Sequence, residues 1–364
     1  MHNLKRQLLT ATLAAMAALV AAAPAHGDWR DFLGLSSEDS FHGTTSYRSR
    51  TFAQERAAGV ELIRQNFDWA AIERSPGRYW FVEYDRFVAA AARRRLRLLP
   101  VLYHPPQFRS SAPAYGAERG EYPPNDFAAM GAFAAALVRR YGPRGSFWRE
   151  HPMLPKVPIR AWQVWNEPSL PVYWRPRPSA RDYVRLLRAV YGAVKRADRR
   201  AEVVTAGLPN SKLSDAVPLE RFLRSMYRAR ARGAFSTLAV NSYARDTREL
   251  SGIVRRLRRI MRRHGDRRKR IWITELGWAT GGPRHRFNVG QAAQARRIRS
   301  TFRWIRNHRR ALRLRGVVYF QWRDQPPYPP IYNDMWGLHT GLLDMAGRPK
   351  PALDAFRRAA ASLR

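Results

Sequence analysis

Eight short apolar runs alternate with longer amphipathic stretches over about 330 residues, and no Gly- or Ser-rich linker divides them; together these predict a single (β/α)8 TIM barrel. The runs lie at 32–35, 60–66, 96–103, 159–166, 203–208, 238–243, 271–276 and 317–322. Most are continuously apolar rather than alternating, as expected of strands buried on both faces of a parallel sheet. The clearest helical periodicities between them span 126–140, 181–196, 219–231, 249–263 and 291–308. Ser179 stands three residues before Asp182 in capping-box spacing, and Asn125-Asp126 follows Pro123-Pro124, both start signals. A doubly wound sheet would show the same alternation, but no G-x-G-x-x-G follows any run. Pro105-Pro106, Pro123-Pro124 and the prolines of 326–330 each follow a strand and mark loops at the barrel mouth. Two loop excursions are expected there, at 110–121 and 326–338.

Composition narrows the function. With 364 residues, 45% apolar and 12 Trp, the chain can bury a large core. It has no Cys, which excludes disulfides, thiolate metal sites and a cysteine nucleophile. Lys and Arg number 66 against 28 Asp and Glu, a net charge of +38, and 60 of the cations are Arg spread along the whole chain. The densest stretch, 254–270, places Val254, Leu257, Ile260 and Met261 at helical spacing. Arg255, Arg256, Arg258, Arg259, Arg262 and Arg263 are then expected on a solvated face. No RNA-stacking motif, zinc finger or heptad series accompanies these arginines, so no specific nucleic-acid partner is expected, although the surface should attract polyanions non-specifically and lose them in salt.

Residues 1–25 have the anatomy of a secretory signal peptide. Lys5 and Arg6 precede an uncharged Ala/Leu run over 8–23, and Ala23-Pro24-Ala25 offers a cleavage site. The run is short for a membrane span and nothing later approaches it. A secreted protein is therefore expected, extracellular or periplasmic and without a membrane span once the leader is removed. Its catalytic domain would be residues 28–364, taken as a monomer. The nine His show no H-E-x-x-H, so no protein-bound metal or cofactor is expected, and no G-x-S-x-G elbow is present.

In a chain poor in acids, two glutamates at strand ends stand out. Glu167 closes Ala161-Trp-Gln-Val-Trp-Asn-Glu-Pro168, and Glu275 lies in Ile271-Trp-Ile-Thr-Glu-Leu-Gly-Trp278, 108 residues further on. Strand carboxyl ends converge on one mouth in a barrel. Two carboxylates there could flank a glycosidic bond, one protonating the leaving oxygen, the other attacking the anomeric carbon or activating water.

These segments resemble the clan A glycoside hydrolases, near the cellulase-like family 5 and the xylosidase-like family 39. Asn166-Glu167-Pro168 is similar to the clan's acid/base signature and Thr274-Glu275-Leu276-Gly277 to its nucleophile strand. The resemblance extends to the closing segment, residues 341–352. It implies a retaining hydrolase of β-linked oligo- or polysaccharides, with Glu167 as acid/base and Glu275 as nucleophile. Asn166 would hold the sugar's 2-hydroxyl, Arg64 would stand beside the nucleophile and Tyr243 would hydrogen-bond it. Trp322 would form the floor under the sugar, with His104 and Trp278 as further sugar-binding candidates. Many relatives carry His two residues before that Tyr where this chain has Asn241. The alternative is a non-catalytic barrel that binds carbohydrate or an acidic cell-wall polymer, which would have no physical need for a glutamate pair.

Overall fold

A computed structural model describes residues 32–113, 121–211, 213–327 and 334–363. The expected signal peptide and the middles of both loop excursions lie outside these residues. Eight parallel strands close into a barrel: β1 (Leu33–Ser36), β2 (Leu62–Asp68), β3 (Arg97–Tyr103), β4 (Ala161–Val164), β5 (Glu202–Val204), β6 (Thr237–Asn241), β7 (Arg270–Leu276) and β8 (Leu314–Tyr319). Each pairs with its neighbours in sequence, and β1 closes the ring by pairing with both β2 and β8. The long register between β2 and β3 runs from Leu62 opposite Arg97 to Asp68 opposite Tyr103.

The interior is a packed layer rather than a pore. Leu62, Leu99, Ala161, Val204, Ala239, Trp272 and Val318 form one buried cluster, a residue from each of seven strands. The eighth strand contributes Gly34, where a Cβ would fall 2.8 Å from Leu62 Cδ2 and 2.9 Å from Val318 Cγ2. Trp272 in the layer lies against Gly316 in the same way, where a Cβ would fall 2.8 Å from its Nε1.

Among the described residues, eight helices of ten or more residues surround the strands: α1 (Thr45–Ala57), α2 (Val82–Arg93), α3 (Phe127–Tyr141), α4 (Ala180–Ala197), α5 (Leu219–Arg228), α6 (Thr247–Arg263), α7 (Gln291–His308) and α8 (Pro351–Leu363). The expected caps form: Ser179 Oγ accepts from the Asp182 amide at 3.2 Å and Asp126 Oδ1 from Ala128 at 2.8 Å. Three of the eight lie outside the clearest sequence periodicities. α1 buries Arg48, Thr51 and Glu55 beside Phe52, whereas α2 and α8 bury faces built largely of Ala, with Tyr84, Phe87 and Val88 on α2 and Leu353, Phe356 and Leu363 on α8.

Two expectations need correction. Arg258 is not on the solvated face of α6: it is 2% exposed and donates to the carbonyls of Leu312 and Lys269. It stands four residues after Val254 and three before Met261, so helical geometry turns it inward to cap carbonyls at the start of β7 and β8. Burial first, then nearby arginines, lowers its pKa to about 10. The run 203–208 is also not one strand: β5 ends at Val204, and pairing resumes only at Leu208–Pro209. Among the described residues no helix is long and apolar enough to cross a membrane.

Candidate active site

The barrel delivers the two glutamates to one mouth from strands that are not neighbours. Past β4 the backbone enters the left-handed region at Trp165 (φ 73°) and Glu167 (φ 42°), conformations that cost a side-chain-bearing residue. Buried contacts hold the turn. The Trp165 amide donates to Leu102 O at 2.9 Å and its indole N–H to Tyr173 O at 2.7 Å. On β7 the pairing with β6 shifts register between Ile273 and Glu275, placing Glu275 opposite Asn241. Gly277 follows, where a Cβ would meet Phe320 O at 2.1 Å, so the chain after the nucleophile candidate passes too close to β8 for any side chain.

The two carboxyls have different partners. Glu275 Oε1 accepts from Arg64 Nη1 at 2.9 Å and Oε2 from the Tyr243 hydroxyl at 2.7 Å. Both oxygens are acceptors, one of a charge-assisted bond, which is the arrangement of an ionised carboxylate. Arg64 is locked in turn, with Nε on Gln163 Oε1 at 2.8 Å and Nη2 on Asn166 Oδ1 at 3.0 Å. Glu167 has no such cation among the described residues: Oε1 accepts from Asn241 Nδ2 at 2.8 Å. Burial above all, then the charge of Glu275, pushes its pKa up to about 8, with Asn241 and Arg64 pulling the other way. Both side chains keep a sliver of surface, with residue exposures of 9% and 8%.

Asn241 is itself fixed. Its Oδ1 accepts from Thr274 at 2.9 Å, and it lies over Gly207, where a Cβ would sit 2.0 Å from that oxygen. Burial and the charge of Glu275 raise the Tyr243 hydroxyl well above the ordinary tyrosine range, so it remains a donor.

Glu167, Glu275, Asn166, Arg64 and Tyr243 thus belong to one hydrogen-bonded set. His104 lies at the rim, in a left-handed conformation (φ 57°), with Nδ1 3.2 Å from Asp68 Oδ2. Trp322 is 2% exposed. Trp278 is fully buried with its indole N–H on Ala244 O at 2.7 Å. It packs beneath the loop and presents no surface to a ligand, which corrects the expectation of a sugar contact there.

Several participants were not singled out from the sequence. Gln163 and Thr274 point inward among apolar strand residues, and a polar residue inside such a run was the available signal. Glu38, in the short helix Glu38–His42 after β1, accepts from Gln65 Nε2 at 3.3 Å. Burial raises its pKa against the pull of Arg64. Trp336, inside the second excursion, lies edge-on to Tyr243 at 4.7 Å and stacks on His285 at 5.1 Å, forming a partly exposed aromatic wall against the tyrosine that binds Glu275. Among the described residues no group of three or more His, Cys, Asp or Glu is placed to hold a metal ion.

No family model matches the chain, and no curated protein matches it in sequence. Solved structures do. A family 39 glycoside hydrolase from the gut symbiont Bacteroides cellulosilyticus WH2 aligns with TM-score 0.66 and 19% identity over 90% of this chain and 63% of its own length. A monomeric β-xylosidase from Caulobacter crescentus CB15 gives 0.66 and 15%, covering 90% and 67%. A family 5 mannosidase from Rhizomucor miehei gives 0.57 and 12%, covering 91% and 92%. The chain thus spans less than two thirds of the family 39 enzyme. It has the barrel fold of the clan A glycoside hydrolases, the fold its motifs imply.

Proposed function

We propose that the protein is a secreted, retaining glycoside hydrolase of β-linked saccharides. The observation that carries this reading is the division of partners at the mouth: an arginine and a tyrosine on Glu275, and burial with only an amide on Glu167. A group that titrates near 8 still holds a proton at neutral pH and can give it away; a group held by a guanidinium is poised to attack.

In the first step a Glu275 oxygen bonds to the anomeric carbon, and the bond from that carbon to the glycosidic oxygen breaks. Glu167 gives its proton to the departing oxygen. In the second, Glu167, now a carboxylate, takes a proton from water. The water oxygen bonds to the anomeric carbon and displaces Glu275, and the starting anomeric configuration returns. Asn166, held by Arg64, would meet the 2-hydroxyl, and Trp336 would offer a ring to the sugar's apolar face, while Trp322, buried at 2% exposure, has no ring face left to serve as the expected floor. The structural neighbours include a β-xylosidase, a glucosidase and mannosidases, so xylosides, glucosides and mannosides are the first substrates to try.

Azide separates the two roles. With a nitrophenyl β-glycoside, Glu275→Ala and azide should give the α-glycosyl azide, because azide attacks the face the nucleophile left open. Glu167→Ala and azide should give the β-glycosyl azide, because azide replaces water in the second step. Binding without hydrolysis across a broad panel would instead favour the non-catalytic carbohydrate-binding barrel. Export is tested by sequencing the mature N-terminus, expected at His26.

A further inference from the structure

A large cleft lies outside the mouth, between α4 and α5. Its volume is about 940 Å³, and it is lined by Arg181, Arg185, Arg188, Arg221, Arg228 and Arg230 against one acid, Asp215. Arg181, Arg185 and Arg188 fall at i, i+4 and i+7 of α4, a single row about 10 Å long. Arg221 and Arg228 are seven apart on α5 and make the facing row. All six are exposed. Only Arg185 has a carboxylate partner, Asp182 at 3.1 Å, and that pair is exposed and weakly held. Arg188 reaches across to the Arg230 carbonyl at 3.1 Å, and Arg228 bonds the Ser225 hydroxyl at 2.7 Å.

The cleft does not end there. Arg188 also lines a groove of about 700 Å³ between α3 and α4, floored by Ala128, Ala132, Ala193 and Gly192. That groove shares Arg139 with a third, of about 500 Å³, past the end of α3. Eleven arginines and two aspartates line the three together. At its upper end the cleft opens at Ser179 and Val217, the starts of α4 and α5, and the Val217 amide donates to Ser169 O, two residues past Glu167. The path therefore begins on the same end of the barrel as the glutamates and runs down its outer face.

From this geometry we infer that the α4–α5 cleft and the grooves continuing from it are a binding track for a carboxylated polysaccharide. Guanidinium forks pair bidentately with carboxylates, and two facing rows suit a chain that carries one acid on each sugar. A nucleic-acid strand fits the cleft less well, since the only aromatic residue lining it, Phe222, is 1% exposed and leaves no ring on which a base could stack; the partly exposed Tyr79 and Phe81 line only the third groove. The inference stands on the outer surface and does not depend on hydrolysis at the mouth.

The test is fluorescence anisotropy with fluorescein-labelled polygalacturonate on the full chain, at rising salt. Binding near physiological salt is expected, and it should persist in Glu275→Ala. The triple variant Arg181→Glu, Arg188→Glu, Arg221→Glu should weaken it at least tenfold, and the corresponding Gln triple should weaken it less. A control triple on α7, Arg299→Glu, Arg303→Glu and Arg306→Glu, reverses as much charge on exposed arginines outside the track. It should change affinity less than twofold. Equal losses from the two Glu triples would overturn the proposal in favour of diffuse surface charge. A labelled duplex DNA binding as tightly as polygalacturonate, and losing as much in the cleft triple, would also overturn it.

Discussion

The two ends of the barrel each hold a largely buried glutamate, with opposite outcomes. At the base, Glu202 opens β5 and receives Arg315 on Oε2 at 3.0 Å, Arg270 on Oε1 at 3.1 Å, and the Thr237 hydroxyl. Burial alone would raise its pKa, but the two guanidiniums outweigh burial and hold it below the ordinary carboxylate range. At the mouth, Glu167 is buried beside another carboxylate, receives one amide, and is pushed up to about 8. Among the described residues, in a chain rich in arginine, this carboxyl has no direct guanidinium contact, while Arg64 directs its fork to Glu275, Asn166 and Gln163. Partner choice holds one residue type below the ordinary carboxylate range at one end and above it at the other, the condition the proposed proton donor requires.

Breaking the mouth should cost function. Glu275→Ala should lower turnover of an aryl glycoside by roughly 10⁴-fold or more, measured as kcat. Glu167→Gln should lower it by about 10²–10⁴-fold, and it sharpens the comparison through stability. The folded state holds the Glu167 proton more tightly than the unfolded chain, whose ordinary value is 4.5. Wild-type stability therefore falls as pH rises from about 4.5 towards about 8. Glu167→Gln removes that loss, so its melting temperature should exceed the wild type's at pH 8 and match it near pH 4.

The base should answer in reverse. Glu202→Gln leaves Arg270 and Arg315 without their counter-charge and should lower stability by about 1–3 kcal/mol, about 2–4 °C of melting temperature per kcal/mol. Its turnover should stay within about twofold. The folded-state pKa of Glu202 is depressed, so the stability it supplies is present above the ordinary carboxylate value and fades as pH falls through the folded one. The smallest expected effect is at Asn241. Its amide favours the ionised form of Glu167, so Asn241→Ala should move the alkaline limb of kcat/KM to higher pH.

The fold and the glutamate pair were legible because they rest on local signals. Continuous apolar strands, helix caps at Ser179 and Asp126, and the two strand-end motifs each lie within a few consecutive residues. The partner sets were not legible in the same way, because they join distant strands: Arg64 to Glu275 spans 211 residues and Asn241 to Glu167 spans 74. Asn241 was visible as a departure from the clan pattern, yet its bond to the acid/base candidate depends on Gly207 giving it room. Arg258 shows the opposite failure. A charged residue was assigned to solvent by type although its position on α6 faces inward. Trp278 was drawn to the site by its neighbours in sequence, while its ring packs beneath it.

The most direct test is a difference infrared titration of wild type against Glu167→Gln. Environment is held here to keep this one carboxyl protonated at neutral pH. The wild type should show a protonated carboxyl band, missing from the variant, that disappears with a midpoint near 8. A band already lost by pH 5 would mean that Glu167 is an ordinary ionised carboxylate, and it would contradict the division of labour between the two glutamates.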